Sequence, residues 1–441
     1  MITAEKVSLE PQETAAPSIE HRGHAYAQRL MAFTIGAALL FNPYIARSES
    51  EGAPRLSDLI AVALMAVLLL RWTARFGYRV RFPASFVVTA ALLLVWIGRD
   101  WVTGHMLSST DPIRWCLAIP YAYALHRFAC NRRTRVPLMI GLTVGAAANL
   151  IVLAMQTFGL SDVAVQLGFA SARWANVWIA ESGEAALRPS GMWGHPNATA
   201  GVIALCFPIV CGLVDEKRIR PWWIVAAWLV VFASSVFTFT RSGAIAAGII
   251  FLVWTARAMR SGRYVRSKLL LLVIGATGVV FIGPPGGWWR WIGEADVSQN
   301  LGDRAESTLR AFDLALHNPL GLGAQYQERL GALTSSGIGA THNAWLYLSL
   351  VAGLPLALWV LQGTVRRLIA LVRFSIVETW LALGLMTLSF FEEFFRVPVF
   401  PVIALWLLAD PACKQFRLTQ FVTPDNDADE VSTARMSVHS P

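Results

Sequence analysis

A chain of 441 residues that is 55% hydrophobic and 15% charged, with mean hydropathy +0.51, is too apolar for an ordinary soluble protein, in which charged residues make up about a quarter. Its formal charge of +9 does not point to nucleic acid, because the arginines are scattered between apolar runs rather than gathered on one soluble face. The five cysteines, Cys116, Cys130, Cys206, Cys211 and Cys413, suggest neither a metal site nor a disulfide framework by their spacing.

Residues 1–25 and 412–441 are polar and read as disordered tails flanking an apolar body, residues 26–411. Within that body, apolar segments centre near residues 36, 63, 90, 119, 147, 205, 229, 249, 275, 351, 383 and 403. Runs of roughly 15 to 22 residues cross a hydrocarbon core as helices, so the expected fold is all-α, a polytopic membrane protein with about twelve transmembrane helices. Every second connection is basic. Examples are Arg71, Arg75, Arg79 and Arg81 after the second segment; Arg127, Arg132, Arg133 and Arg135 after the fourth; and Lys217, Arg218 and Arg220 after the sixth. The positive-inside bias places these connections and both termini in the cytoplasm.

The alternate connections, about 46–55, 98–111, 159–195, 239–241, 284–341 and 391–397, then face outward. The segment 284–341 opens with Trp288, Trp289 and Trp291, residues typical of an interface. Between the ninth and tenth spans, Asp303 to His317 reads as an amphipathic helix broken by Asn318-Pro319. Turn-rich stretches, Gly321-Leu322-Gly323 and Ser335-Ser336-Gly337, then approach His342. No strand pattern argues for a soluble β domain.

Outward-facing arginines run against the charge bias. Arg188, Arg241, Arg304 and Arg310 stand out. A guanidinium suits a phosphate or diphosphate because its fork stays charged and donates two parallel hydrogen bonds; it can equally snorkel to lipid headgroups. Arg241, in a tight link between two apolar runs, is the strongest candidate for a functional charge. His342 and Asn343 open a long apolar stretch. An imidazole that titrates near pH ~6.5 can serve there as a general base or as a hydrogen-bonding residue at a helix start, and Asn343 fits a cap or a loop-fixing role. His195, before Pro196-Asn197, reads as a turn residue and ranks second to His342. The acidic pair Glu392-Glu393 fits an interfacial ion pair with Arg396, or a group that orients an arginine or the histidine.

The succession Arg188-Pro189-Ser190-Gly191…Pro196-Asn197, Thr240-Arg241-Ser242-Gly243, Arg304 ahead of Asn318-Pro319-Leu320-Gly321-Leu322-Gly323, and His342-Asn343…Gly353-Leu354 resembles the O-antigen ligase and polymerase superfamily of bacterial envelopes. The resemblance covers roughly residues 185–360, with one departure: Pro355 follows Gly353-Leu354 where a second glycine is often found. It implies a metal-independent, cofactor-free inverting glycosyltransferase in the bacterial inner membrane, its active site facing the periplasm. The donor would be an undecaprenyl-diphosphate-linked glycan and the acceptor the lipid A–core oligosaccharide. By similarity the catalytic roles fall on His342, Arg241 and Arg304, with Arg188, Arg310, His195 and Asn343 in substrate binding. A polymerase using the same donor is the near alternative. A lipid-linked sugar transporter is the distant one, and it predicts ionisable residues at mid-depth; the spans contain almost no Asp, Glu or Lys there.

Overall fold

The computed structural model describes residues 19–45, 54–74, 83–104, 111–170, 176–181, 184–238, 240, 242–260, 294–334 and 339–409. They form a predominantly helical bundle. Ala84–Val102, Arg132–Thr157, Pro196–Asp215 and Leu354–Leu371 are long and apolar enough to cross a membrane, and Leu56–Leu70, Trp223–Thr238, Ser242–Arg257, Val377–Ser389 and Val399–Leu408 are shorter apolar helices. Each expected apolar segment coincides with a described helix except the one centred near 275, which lies outside the described residues. Also outside them are Trp288, Trp289, Trp291, Arg241, Ser335-Ser336-Gly337 and the 412–441 tail.

Three features depart from the sequence reading. The first helix, Ile19–Leu40, begins inside the stretch expected as a tail, since a helix once nucleated gains one backbone hydrogen bond for each added residue. The strands Asn176–Glu181 and Glu184–Pro189 form an antiparallel hairpin; Val, Trp and Ile favour the pleated surface, and only Ser182-Gly183 separates the strands. Finally, Cys130 is disulfide-bonded, while Cys116, Cys206 and Cys211 are free. Spacing along the chain does not reveal such a pairing, because the fold decides which thiols meet.

Small residues set the closest helix contact. A Cβ on Gly141 would lie 2.2 Å from the Phe33 carbonyl oxygen, and one on Gly145 would lie 2.4 Å from that of Ala37. Gly141 and Gly145 thus seat the first helix backbone-to-backbone against Arg132–Thr157, the small-xxx-small mode of apolar helix packing. Pro196–Asp215 is the most enclosed of the four long apolar helices, whereas Ala84–Val102 and Leu354–Leu371 turn most of their surface outward.

Hydrogen bonds between connections join like with like. At one end, Arg55 donates to the Met192 carbonyl, Asn197 to Glu392, Tyr347 to Asp111 and the Thr341 amide to Glu393. At the other end, Arg135 meets Glu216 and Glu378, and Asp215 accepts from Ser375. The second set borders the basic stretches at Arg132, Arg133 and Arg135 and at Lys217, Arg218 and Arg220.

Candidate functional site

The first of these two ends gathers a polar cluster around the adjacent carboxylates Glu392 and Glu393, in the link between Val377–Ser389 and Val399–Leu408. Glu393 is buried and holds a loop. It accepts hydrogen bonds from the Thr341 amide at 2.6 Å, the Thr341 hydroxyl at 3.0 Å and the Tyr326 hydroxyl at 3.0 Å, and lies 3.5 Å from Arg396. This pins the residue immediately before His342. The consequence is visible in the backbone, since His342 adopts the left-handed region with φ 49°, a conformation that costs an L-residue about 1–2 kcal/mol. Asn343 then returns to extended backbone and caps the helix Ala344–Ala352, its Oδ1 accepting from the Trp345 and Leu346 amides at 2.9 and 3.1 Å.

Glu392 gathers the side chains that carry chemistry. His342 Nδ1 lies 3.9 Å from its Oε2, Arg304 Nη2 lies 4.0 Å from its Oε1, and the Asn197 amide donates to Oε1. Burial would push the Glu392 carboxyl up, but His342, His195 and Arg304 together outweigh it and hold the group below its ordinary value. The cluster is loosely bonded. His342 Nδ1 is buried without a hydrogen-bond partner among the described residues, and the Arg304 side chain is 40% exposed. Arg304 rides on the helix Glu294–His317, which Ser307 ties to the Ala340 carbonyl. That helix ends at Asn318-Pro319, where the sequence predicts its break.

Two helix starts adjoin the cluster, and a third packs on one of them. Pro196–Ala204 is capped by His195, whose Nδ1 accepts from the Asn197 amide at 3.3 Å, so the turn role read from the sequence holds. The first turn of Ser242–Arg260 packs on that helix, with a Cβ on Gly243 falling 3.1 Å from the Ala200 carbonyl oxygen. The start of Ala344–Ala352 completes the group. Each helix end carries partial positive charge that favours an anion.

The remaining expected site residues divide. Arg241 lies outside the described residues, between Thr240 and Ser242, which are both buried. Arg188 stands opposite Val177 in the hairpin, and its side chain is not among those described. Arg310 is 55% exposed and 4.0 Å from Glu306 on its own helix, the geometry of a surface ion pair. The sequence reading passed over Arg55. It is buried between the rings of Tyr44 and Trp193, at 4.2 and 4.9 Å, and donates to the Met192 carbonyl at 3.0 Å. An arginine at this end therefore need serve neither phosphate nor lipid, and can hold a loop by its carbonyls. The reading also undervalued Glu392. Its sequence signal was an acidic pair beside an arginine, and Arg396 turns out to belong to Glu393.

No protein-family model matches this chain, and comparison with curated proteins finds no match. Chemistry has to be argued from the cluster.

Proposed function

We propose that this protein is a metal-independent inverting glycosyltransferase that moves an O-antigen glycan from undecaprenyl diphosphate to a hydroxyl of lipid A–core. The reading places about twelve spans in the bacterial inner membrane, with both termini cytoplasmic and the Glu392 end, including the helical segment after the ninth span, in the periplasm. The observation that carries it is the meeting of His342, Arg304 and Asn197 on one carboxylate beside two helix starts.

Arg304, with Arg241 and Arg188 by resemblance, grips the diphosphate and stabilises the charge that grows on it as the bond between the anomeric carbon and the phosphate oxygen breaks. The acceptor hydroxyl oxygen attacks that carbon from the opposite face, inverting it. Glu392 faces Nδ1 of His342, which leaves Nε2 to take the hydroxyl proton, and the resulting imidazolium is stabilised by the carboxylate. The products are the glycosylated acceptor and free lipid diphosphate.

The test is incubation of the purified protein in nanodiscs with lipid-diphosphate glycan and lipid A–core, in EDTA. The expected result is a larger lipopolysaccharide plus free lipid diphosphate. Extension of a lipid-linked glycan instead of lipid A–core would identify a polymerase. A wild-type protein that forms no glycosidic bond in either assay would sink the transferase reading, and activity lost in EDTA but restored by magnesium would sink its metal independence.

A further inference from the structure

The motif Asn318-Pro319-Leu320-Gly321-Leu322-Gly323 and the pair Gly353-Leu354 contribute no group to the Glu392 cluster. They meet each other. The Leu322 amide donates to the Leu350 carbonyl at 2.5 Å, and the Leu354 amide donates to the Pro319 carbonyl at 2.8 Å. The end of the Arg304 helix is thereby docked on the end of the His342 helix.

Glycine is required on both sides of this joint. Gly321 and Gly353 have φ of 82° and 102°, where a side chain is strained. A Cβ on Gly321 would also sit 2.6 Å from Arg99 Nη1 and 2.7 Å from the Gly353 nitrogen, and one on Gly353 would sit 2.8 Å from the Leu320 carbonyl carbon.

Arg99 closes the joint from a third element, the last turn of Ala84–Val102. Its Nη1 donates to the Leu320 carbonyl and its Nη2 to the Val351 carbonyl at 2.8 Å, so one planar fork spans both helix ends. Asp100, 2% exposed, accepts from Arg99 Nε at 2.9 Å and aims the guanidinium. A second tie runs from the middle of the Arg304 helix to the loop ahead of His342, with Ser307 donating to the Ala340 carbonyl and Thr308 to the Thr341 carbonyl at 3.5 Å. The two segments are therefore fixed at two points, with His342 between them and Arg304 about one turn outside the second.

We propose that Arg99 is a positioning residue for glycosyl transfer: by clamping the Leu320 and Val351 carbonyls it sets the separation of Arg304 from His342, without itself touching the substrate. The inference rests on the transferase reading given above. A guanidinium and a base on separate helices act together only if those helices are held to within about 1 Å, since a displacement of that size costs on the order of 10²-fold in rate.

The experiment compares wild type, Arg99→Gln, Gly321→Ala and the double variant in the transfer assay with saturating acceptor, alongside thermal unfolding of each. Arg99→Gln should lower kcat about 10- to 100-fold while KM for the lipid diphosphate changes by less than about threefold. Gly321→Ala should give the same split. Because both act on one joint, the double variant should be no slower than the worse single variant. Arg99→Lys, which can reach one carbonyl but cannot span both, should recover only part of the loss. An Arg99→Gln protein with wild-type kcat would overturn the proposal, as would a loss of kcat that tracks the loss of folded protein, or independent multiplication of the two single effects. A wild-type protein with no transfer activity would instead overturn the transferase reading, so the two failures are distinguishable. Spin labels at the exposed Leu309 and Leu358, on the helices either side of the joint, supply a readout besides activity, and their distance distribution should broaden in Arg99→Gln and stay narrow in wild type.

Discussion

The two ends of the bundle each hold a buried or half-buried cluster in which arginine meets carboxylate, and they are bonded in opposite ways. At the basic end, Arg135 donates to Glu216 at 3.1 and 2.5 Å, to Glu378 at 2.6 and 2.8 Å and to the Ala129 carbonyl at 3.2 Å. Its side chain is 13% exposed and its fork is saturated. At the other end, Glu392 lies 3.9 Å from His342 and 4.0 Å from Arg304, and the imidazole Nδ1 has no hydrogen bond among the described residues. Charges removed from water must be paired and hydrogen-bonded to persist, so saturation marks a staple. Charges left at long range and partly exposed, as here, suit the proposed binding of a diphosphate.

That contrast is open to attack at each end. The largest expected effect is at the loose end: His342→Ala or Arg304→Ala should lower transfer by roughly 10²- to 10⁴-fold while the unfolding temperature stays close to wild type, read by product analysis and thermal unfolding side by side. At the tight end, Arg135→Ala strands two buried carboxylates and should cost about 3–5 kcal/mol of stability, with transfer per folded molecule unchanged. A loss of turnover at full stability would erase the division between the two ends. Next in size is Gly141→Val, which forces the first helix away from its partner and should cost about 1–3 kcal/mol, measured by denaturant unfolding in detergent. It should leave the ratio of turnover to folded protein as it was.

The smallest effect concerns pH. Because the fold holds the Glu392 carboxyl below its ordinary value, the cluster contributes stability in full above the unfolded-chain value of about 4.3. That contribution is lost as the pH falls below it and through the lower folded value. Acid unfolding of Glu392→Gln should therefore be less steep than that of wild type between about pH 4.3 and the foot of the transition.

Much of the helical layout was legible because it is written in local chemistry. Apolar runs located the helices, Asn318-Pro319 located the end of the Arg304 helix, and Asn343 located the start of Ala344–Ala352. Local chemistry misled at Asn176–Glu181, where a strand pairs inside what read as an open connection. It was silent on Arg55 and Arg99. Both are spent on backbone carbonyls that distant segments bring to them.

The adjacent acids show where the boundary falls. By itself the sequence determined that Glu392 and Glu393 stand in a short polar link at the end of an apolar helix, because hydropathy and helix ends depend on residues only a few places apart. The tertiary structure alone decided that Glu393 grips the Thr341 loop while Glu392 turns to His342, Arg304 and Asn197. Neighbouring side chains leave the backbone in different directions, and which partners wait there is settled by helices packed from remote parts of the chain.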